Sequence, residues 1–128
     1  MPQTKIVYYQ ESANSSDVVA WLKELRAQNA KAYTKCATRI QRLVECGHEL
    51  RRPEADYLRD DIYELRATLN GVHYRLLYFF HGKGVAVLSW GLTKEAEVPA
   101  ADIDRAIERR KKFLKAPSAH TYTHNSRG

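Results

Sequence analysis

The dipeptide Asn70-Gly71 limits what this chain can become more than any other feature. Both residues tolerate the positive φ of a two-residue hairpin loop, and apolar-rich runs flank them on either side. The stretch 57–92 reads YLRDDIYELRATLNGVHYRLLYFFHGKGVAVLSWGL, with a glycine-bearing turn at 81–84 and a third apolar run from Val85 to Leu92. The prediction is a three-stranded antiparallel meander. A two-residue loop pairs Leu69 with Val72, Thr68 with His73 and Arg66 with Arg75. Centring the second turn on Gly82-Lys83 pairs Phe79 with Ala86 and sets Arg75 across from Trp90. Period-2 alternation then collects Glu64, Arg66, Thr68, His73, Arg75 and Trp90 on one face. The other face carries Tyr63, Leu65, Tyr74, Leu76, Tyr78, Phe80 and Val87. Leu77, Phe79 and Leu88 make the first face partly apolar, so the polar cluster belongs at one end of a sheet otherwise buried on both sides.

Like charges directly opposite each other in a sheet are destabilising by about 0.2–1 kcal/mol. A sheet that needed only to fold would not set Arg66 against Arg75. The two guanidiniums are therefore expected to stand open to solvent and unneutralised, ready for a polyanion. The competing structural reading pairs each of them with an acid such as Glu64, Asp60 or Asp61, where they would only hold the sheet.

The rest of the chain supplies the layers. Residues 5–9 (KIVYY) read as a short strand, followed by a polar loop with Ser16 or Asp17 as a helix N-cap. Val18, Trp21, Leu22 and Leu25 recur at helical spacing to about Ala27. A second helix runs from about Ala30 to Cys46 and stops at Gly47. Its apolar stripe includes Tyr33, Cys36, Ile40 and Leu43. Its opposite ridge is Lys31, Lys35, Arg39 and Arg42, with no acid among them. Residues 48–58 read as a polar connection. After the meander comes a third helix from Ala100 to about Leu114, with Ile103, Ala106, Ile107, Arg110 and Phe113 on its inner edge. The order β-α-α-β-β-β-α predicts an α+β domain over 1–115, a small antiparallel sheet with helices on one face, and a disordered basic tail over 116–128.

Composition narrows the partners. The chain has 128 residues and a net charge of +6, which favours a polyanionic partner over an anionic small substrate. No run reaches the roughly 20 apolar residues of a membrane span, and no signal-peptide pattern opens the sequence. Cys36 and Cys46 lie too far apart on one helix to bridge, which suits reduced thiols and a cytoplasmic location. No Cys/His spacing suggests zinc, and no cofactor or metal is expected.

Leu58-Arg59-Asp60, Tyr63-Glu64-Leu65-Arg66, Val72-His73-Tyr74-Arg75-Leu76-Leu77-Tyr78 and Gly91-Leu92-Thr93-Lys94, followed by Pro99 and a helix with Ile103 and Ala106, resemble the RelE/ParE superfamily of bacterial toxins. The likeness is to its HigB-type, phage-derived branch and covers about residues 6–113. It implies the toxin of a type II toxin–antitoxin pair, most members of which cleave mRNA on the ribosome without metal. It also implies a cognate antitoxin, with mRNA and ribosomal RNA as further partners. Metal-free cleavage has the ribose 2′-OH attack its own phosphate, so the site must stabilise phosphorane charge and move two protons. By that resemblance Arg75 contacts the scissile phosphate, Arg66 shares the role, and Lys94 binds phosphate or stabilises the leaving group. His73 is the candidate proton shuttle, with Glu64 as the alternative base. Trp90 is placed to stack on a nucleobase, and Lys31, Lys35, Arg39 and Arg42 to meet RNA. The sequence departs from the pattern in carrying Thr93-Lys94 where two basic residues are common, Glu64 where RelE has a lysine, and no tyrosine in the last helix. Two alternatives stand beside the nuclease: a ParE-like inhibitor of DNA gyrase, and an inactive phage-derived module that only binds a partner.

Overall fold

The computed structural model of the protein describes residues 3–93 and 97–123. The helices are set by their caps. Ser16 accepts a hydrogen bond from the Val19 N–H and opens α1 (Asp17–Gln28), while its own hydroxyl donates to the Tyr9 carbonyl at 2.6 Å. Asn29 alone joins α1 to α2 (Ala30–Cys46). Its N–H closes on the Leu25 carbonyl at 2.7 Å, and its side chain accepts from Ala32 at 3.1 Å. Gly47, at φ +54°, ends α2 as the sequence predicts.

Five strands form one sheet in the order β1-β5-β4-β3-β2, with β1 Lys5–Tyr8, β2 Ala55–Arg59, β3 Ile62–Leu69, β4 Val72–His81 and β5 Val85–Thr93. The α+β class stands as read. The sheet is mixed rather than purely antiparallel, because β1 runs parallel to β5. The segment taken for a connection holds β2, which reaches β3 through Asp60-Asp61. Both aspartates have positive φ, a conformation this residue tolerates better than most.

The Asn70-Gly71 hairpin has the expected register, with Leu69 opposite Val72, Thr68 opposite His73 and Arg66 opposite Arg75. The second turn differs. It spans three residues between His81 and Val85, so Phe79 meets Val87. A bulge at Ser89 then shifts the ladder again, and Arg75 lies opposite Leu92 while Trp90 lies opposite Leu77.

Helices cover both faces of the sheet, not one. Under α1 and α2 lie Leu65, Ala67, Tyr74, Leu76, Tyr78 and Leu88. Against the other face, α3 (Ala100–Lys115) lays Ile103, Ala106 and Phe113 over Leu77, Phe79 and Val87. Val87 and Leu88 thus lie on the faces opposite to those expected, because the second turn is one residue longer and shifts the pairing by one. The reason is visible in β4, where 74–79 is apolar at nearly every position and so needs a cover on each side. On α3 it is Arg109, not Arg110, that turns fully inward; it donates to the Ser89 carbonyl at 2.5 Å and pairs with Asp17.

The chain past α3 is ordered at its start, against the expectation of a loose tail. Gln10 donates to the Ala119 carbonyl from its side-chain amide at 3.0 Å and to the His120 carbonyl from its backbone N–H at 2.9 Å. His120 stacks on Tyr9, and the Tyr122 N–H donates to the Tyr8 carbonyl at 2.8 Å. Residues 116–123 thus close the outer edge of β1, while 124–128 lie outside the described residues.

One contact tests the packing of α1 on the sheet. A Cβ on Gly91 would overlap the Trp21 ring, so the bare backbone of β5 is what lets α1 approach. Gly91→Ala is expected to destabilise the fold by about 1–3 kcal/mol, read as a lower urea midpoint at unchanged m value. An unchanged midpoint would mean that α1 does not sit as described.

Candidate functional site

Where β2, β3 and β4 lie beyond the cover of α3, the sheet carries a cleft of about 470 Å³. Its floor is Glu64, Arg66 and Arg75; its rim includes Arg52, Asp56, Arg59 and Glu97. Alternation along β3 puts Glu64 and Arg66 on one face, and the hairpin register brings Arg75 to them.

Arg75 is 6% exposed and Glu64 4%. A guanidinium N–H of Arg75 donates to Glu64 Oε1 at 2.7 Å. The expectation of an open, unneutralised Arg75 is overturned; the structural reading, in which Glu64 pairs with it, holds for this residue. The cause is the carboxylate two positions before Arg66, which faces the same way and offsets the like-charge opposition across the hairpin. Arg66 differs. Its side chain is 36% exposed, and its Nε stands 3.9 Å from Glu64 Oε2, beyond hydrogen-bond range. The rim arginines also have carboxylates: Arg52 with Asp56 at 2.7 Å, and Arg59 with Asp104 at 2.7 Å and Asp60 at 3.1 Å. Of the four cleft arginines, Arg66 is held least tightly among the described residues.

The helix ridge divides. Arg39 donates to the backbone carbonyl of Arg66 at 2.8 Å, and both Arg39 and Arg42 pair with Glu54, at 3.4 and 2.9 Å. Glu54 in turn accepts the Arg66 N–H through its own carbonyl at 2.9 Å. These two arginines are braces behind β3, not the free RNA-facing charges the sequence suggested. Lys31 and Lys35 are exposed, have no ion pair among the described residues, and border a separate shallow groove with Thr34, Thr38 and Leu69.

His73 does not line the cleft; its Nδ1 lies 3.0 Å from the Thr68 hydroxyl, across the hairpin. Trp90 is also elsewhere. It packs against α3, with the guanidinium carbons of Arg105 and Arg109 4.6 and 5.2 Å from its ring centre. Lys94 lies outside the described residues. Sequence reasoning missed Arg52, Asp56 and Arg59. The alternation in 55–59, ended by two aspartates fit for a tight turn, was the available signal.

Three carboxylates sit below their ordinary range: Glu54, Asp56 and Glu11. The chief causes are hydrogen bonds from Arg42, Arg52 and Lys112 respectively. On acidification the unfolded chain therefore takes up protons first. The stability these groups supply is complete above about pH 5 and is lost as pH falls below about 4, through their depressed folded-state values. A urea midpoint at pH 3 should lie below that at pH 7, and equal midpoints would contradict the pairing. Glu64→Ala removes the buried partner of Arg75 and is expected to cost about 3 kcal/mol in the same measurement. A cost below about 1 kcal/mol would mean the pair is not buried as described.

No curated protein matches the chain. A family described as "Phage derived protein Gp49-like (DUF891)" matches residues 23–111, more than two thirds of the sequence. That span runs from within α1 to within α3 and contains the whole cleft, and it shows that the chain belongs to the Gp49-like family of phage-derived proteins.

Proposed function

We propose that this protein is the toxin of a type II toxin–antitoxin pair and that it cleaves mRNA on the ribosome, without metal, at the Arg66 cleft. Membership of the Gp49-like family, which is associated with such toxins, supports the toxin role. The observation that carries the chemical part is Arg66: a partly exposed guanidinium at the floor of a cleft, whose one ion-pair partner among the described residues, Glu64, is already engaged by Arg75.

The roles follow from this geometry. An incoming phosphate competes with Glu64 for Arg66 and wins readily, because the existing contact is long, at 3.9 Å, while a phosphate accepts two parallel N–H bonds. Arg75 holds the Glu64 carboxylate in place through the 2.7 Å hydrogen bond, which makes it a positioning residue. Glu64 is then the carboxylate nearest the bound phosphate and takes the proton from the attacking 2′-OH. The bond from that oxygen to phosphorus forms as the bond to the 5′ oxygen breaks. Arg66 meets the charge that develops, the departing 5′ oxygen takes a proton from water, and the products are a 2′,3′-cyclic phosphate and a 5′-OH. Lys94 keeps the leaving-group role that the likeness to RelE and HigB toxins gives it. The antitoxin silences the toxin by presenting acidic groups to Arg66.

A second reading has its own support. Every arginine of the cleft has a carboxylate within 4.0 Å, as expected of a surface that binds a partner and does no chemistry.

Induction in a bacterium, with RNA 5′ ends mapped, separates the two. Wild type should arrest growth and leave cuts within translated codons. Arg66→Ala should fold with a urea midpoint within about 0.5 kcal/mol of wild type and lose at least about 100-fold of the cutting. Arrest with no cuts would overturn the nuclease reading in favour of partner binding, with gyrase one target to test; absence of arrest would overturn the toxin role.

A further inference from the structure

Across the sheet from the cleft lies a second groove, of about 300 Å³, with different chemistry. Tyr8, Tyr33 and Tyr122 wall it, Leu22 lies at its base, and Lys23 and Arg26 stand at its margin. The Arg26 guanidinium sits over the Tyr33 ring, 5.7 Å from its centre. None of its lining residues is a carboxylate, and neither Lys23 nor Arg26 has an ion pair among the described residues. That contrasts with the cleft, where each arginine has an acid. The groove also lies apart from it: Tyr8 is on β1 and the cleft floor is on β4 and β3, two to three strand spacings or about 10–14 Å away across the sheet. Its third phenol comes from the segment after α3, which the Tyr122–Tyr8 backbone hydrogen bond holds on the β1 edge.

Phenol faces beside two uncompensated cations are the parts of a site for an anion that carries a flat ring. The phenols offer stacking that tolerates any base, and the cations offer charge to a backbone. Burial, and after it the neighbouring Tyr33, raises the Tyr8 phenol, so it stays protonated and can donate a hydrogen bond. We infer that this groove binds single-stranded nucleic acid, with one base among Tyr8, Tyr33 and Tyr122 and the adjoining phosphates on Lys23 and Arg26. The site is independent of the cleft and needs no cleavage to operate. The ordered segment 116–123 has a task in it, which is to deliver Tyr122.

The test uses the full chain carrying Arg66→Ala, which removes the proposed cleft contact, and a short 2′-O-methyl oligonucleotide, which has no attacking hydroxyl. Affinity is followed by fluorescence anisotropy over a range of salt. Tyr33→Leu and Tyr122→Leu should each weaken binding by about 5- to 100-fold, while Tyr33→Phe should retain it. Arg26→Ala, at an exposed position, should lower the slope of log affinity against log salt by about 0.7. An abasic strand of equal length should bind more weakly than the oligonucleotide. Equal binding of the abasic strand, or unchanged affinity in both tyrosine variants, would overturn the site. So would adenosine monophosphate binding as tightly as the oligonucleotide, which would make the groove a pocket for a free nucleotide. These outcomes are separate from the cleft's, since a strand that binds here without any RNA being cut refutes only the nuclease.

Discussion

A buried carboxylate between two arginines governs this molecule. Glu64 lies on the same face of its strand as Arg66 and within 2.7 Å of Arg75 on the next. Without it, the hairpin would set two like charges opposite one another at the margin of an apolar sheet. With it, Arg75 can be buried, β3 and β4 can pair to the end, and the cleft has a charged floor. Such pairs seldom add stability over apolar residues of the same volume. Its presence in a cleft rather than in the closed core is therefore an argument for use, and the element left over for use is Arg66.

The supporting structure acts on that same residue from behind. Arg39 and Arg42 hold Glu54, and Glu54 and Arg39 between them satisfy both backbone polar groups of Arg66. A guanidinium on a backbone fixed at both its N–H and its carbonyl can change partner without its strand moving. The core performs the wider service. With α1 and α2 on one face and α3 on the other, much of the sheet is covered, and near β2 the side chains of Arg52, Arg59 and Arg66 meet solvent.

Much of this was legible beforehand, and the failures have physical causes. The Asn70-Gly71 turn gave its register because a two-residue loop leaves the pairing no freedom. The caps at Ser16 and Gly47 gave the start of α1 and the end of α2 closely, while the capping role of Asn29 between them went unread. The second turn misled because the run of glycines at 82 and 84 fits loops of two or three residues equally, and nothing in an apolar strand advertises the bulge at Ser89. That one shift moved Trp90 away from Arg75 and under the cations of α3. The cover on both faces could be read from the unbroken apolar run of β4, yet helix count alone did not say which helix went where. Arg66 and Arg75 were found from their opposition in the hairpin. Their unequal burial was not, because period-2 reasoning assigns a face and not a depth.

The central claim is that Glu64 belongs to Arg75 and only loosely to Arg66, which leaves Arg66 for a polyanion. Double-mutant cycles in urea unfolding, Glu64→Gln with Arg75→Gln and Glu64→Gln with Arg66→Gln, measure both couplings on one scale. The expected result is a coupling of at least about 1.5 kcal/mol to Arg75 and no more than about 0.5 kcal/mol to Arg66. Equal couplings, or the larger one to Arg66, would contradict this account of the cleft.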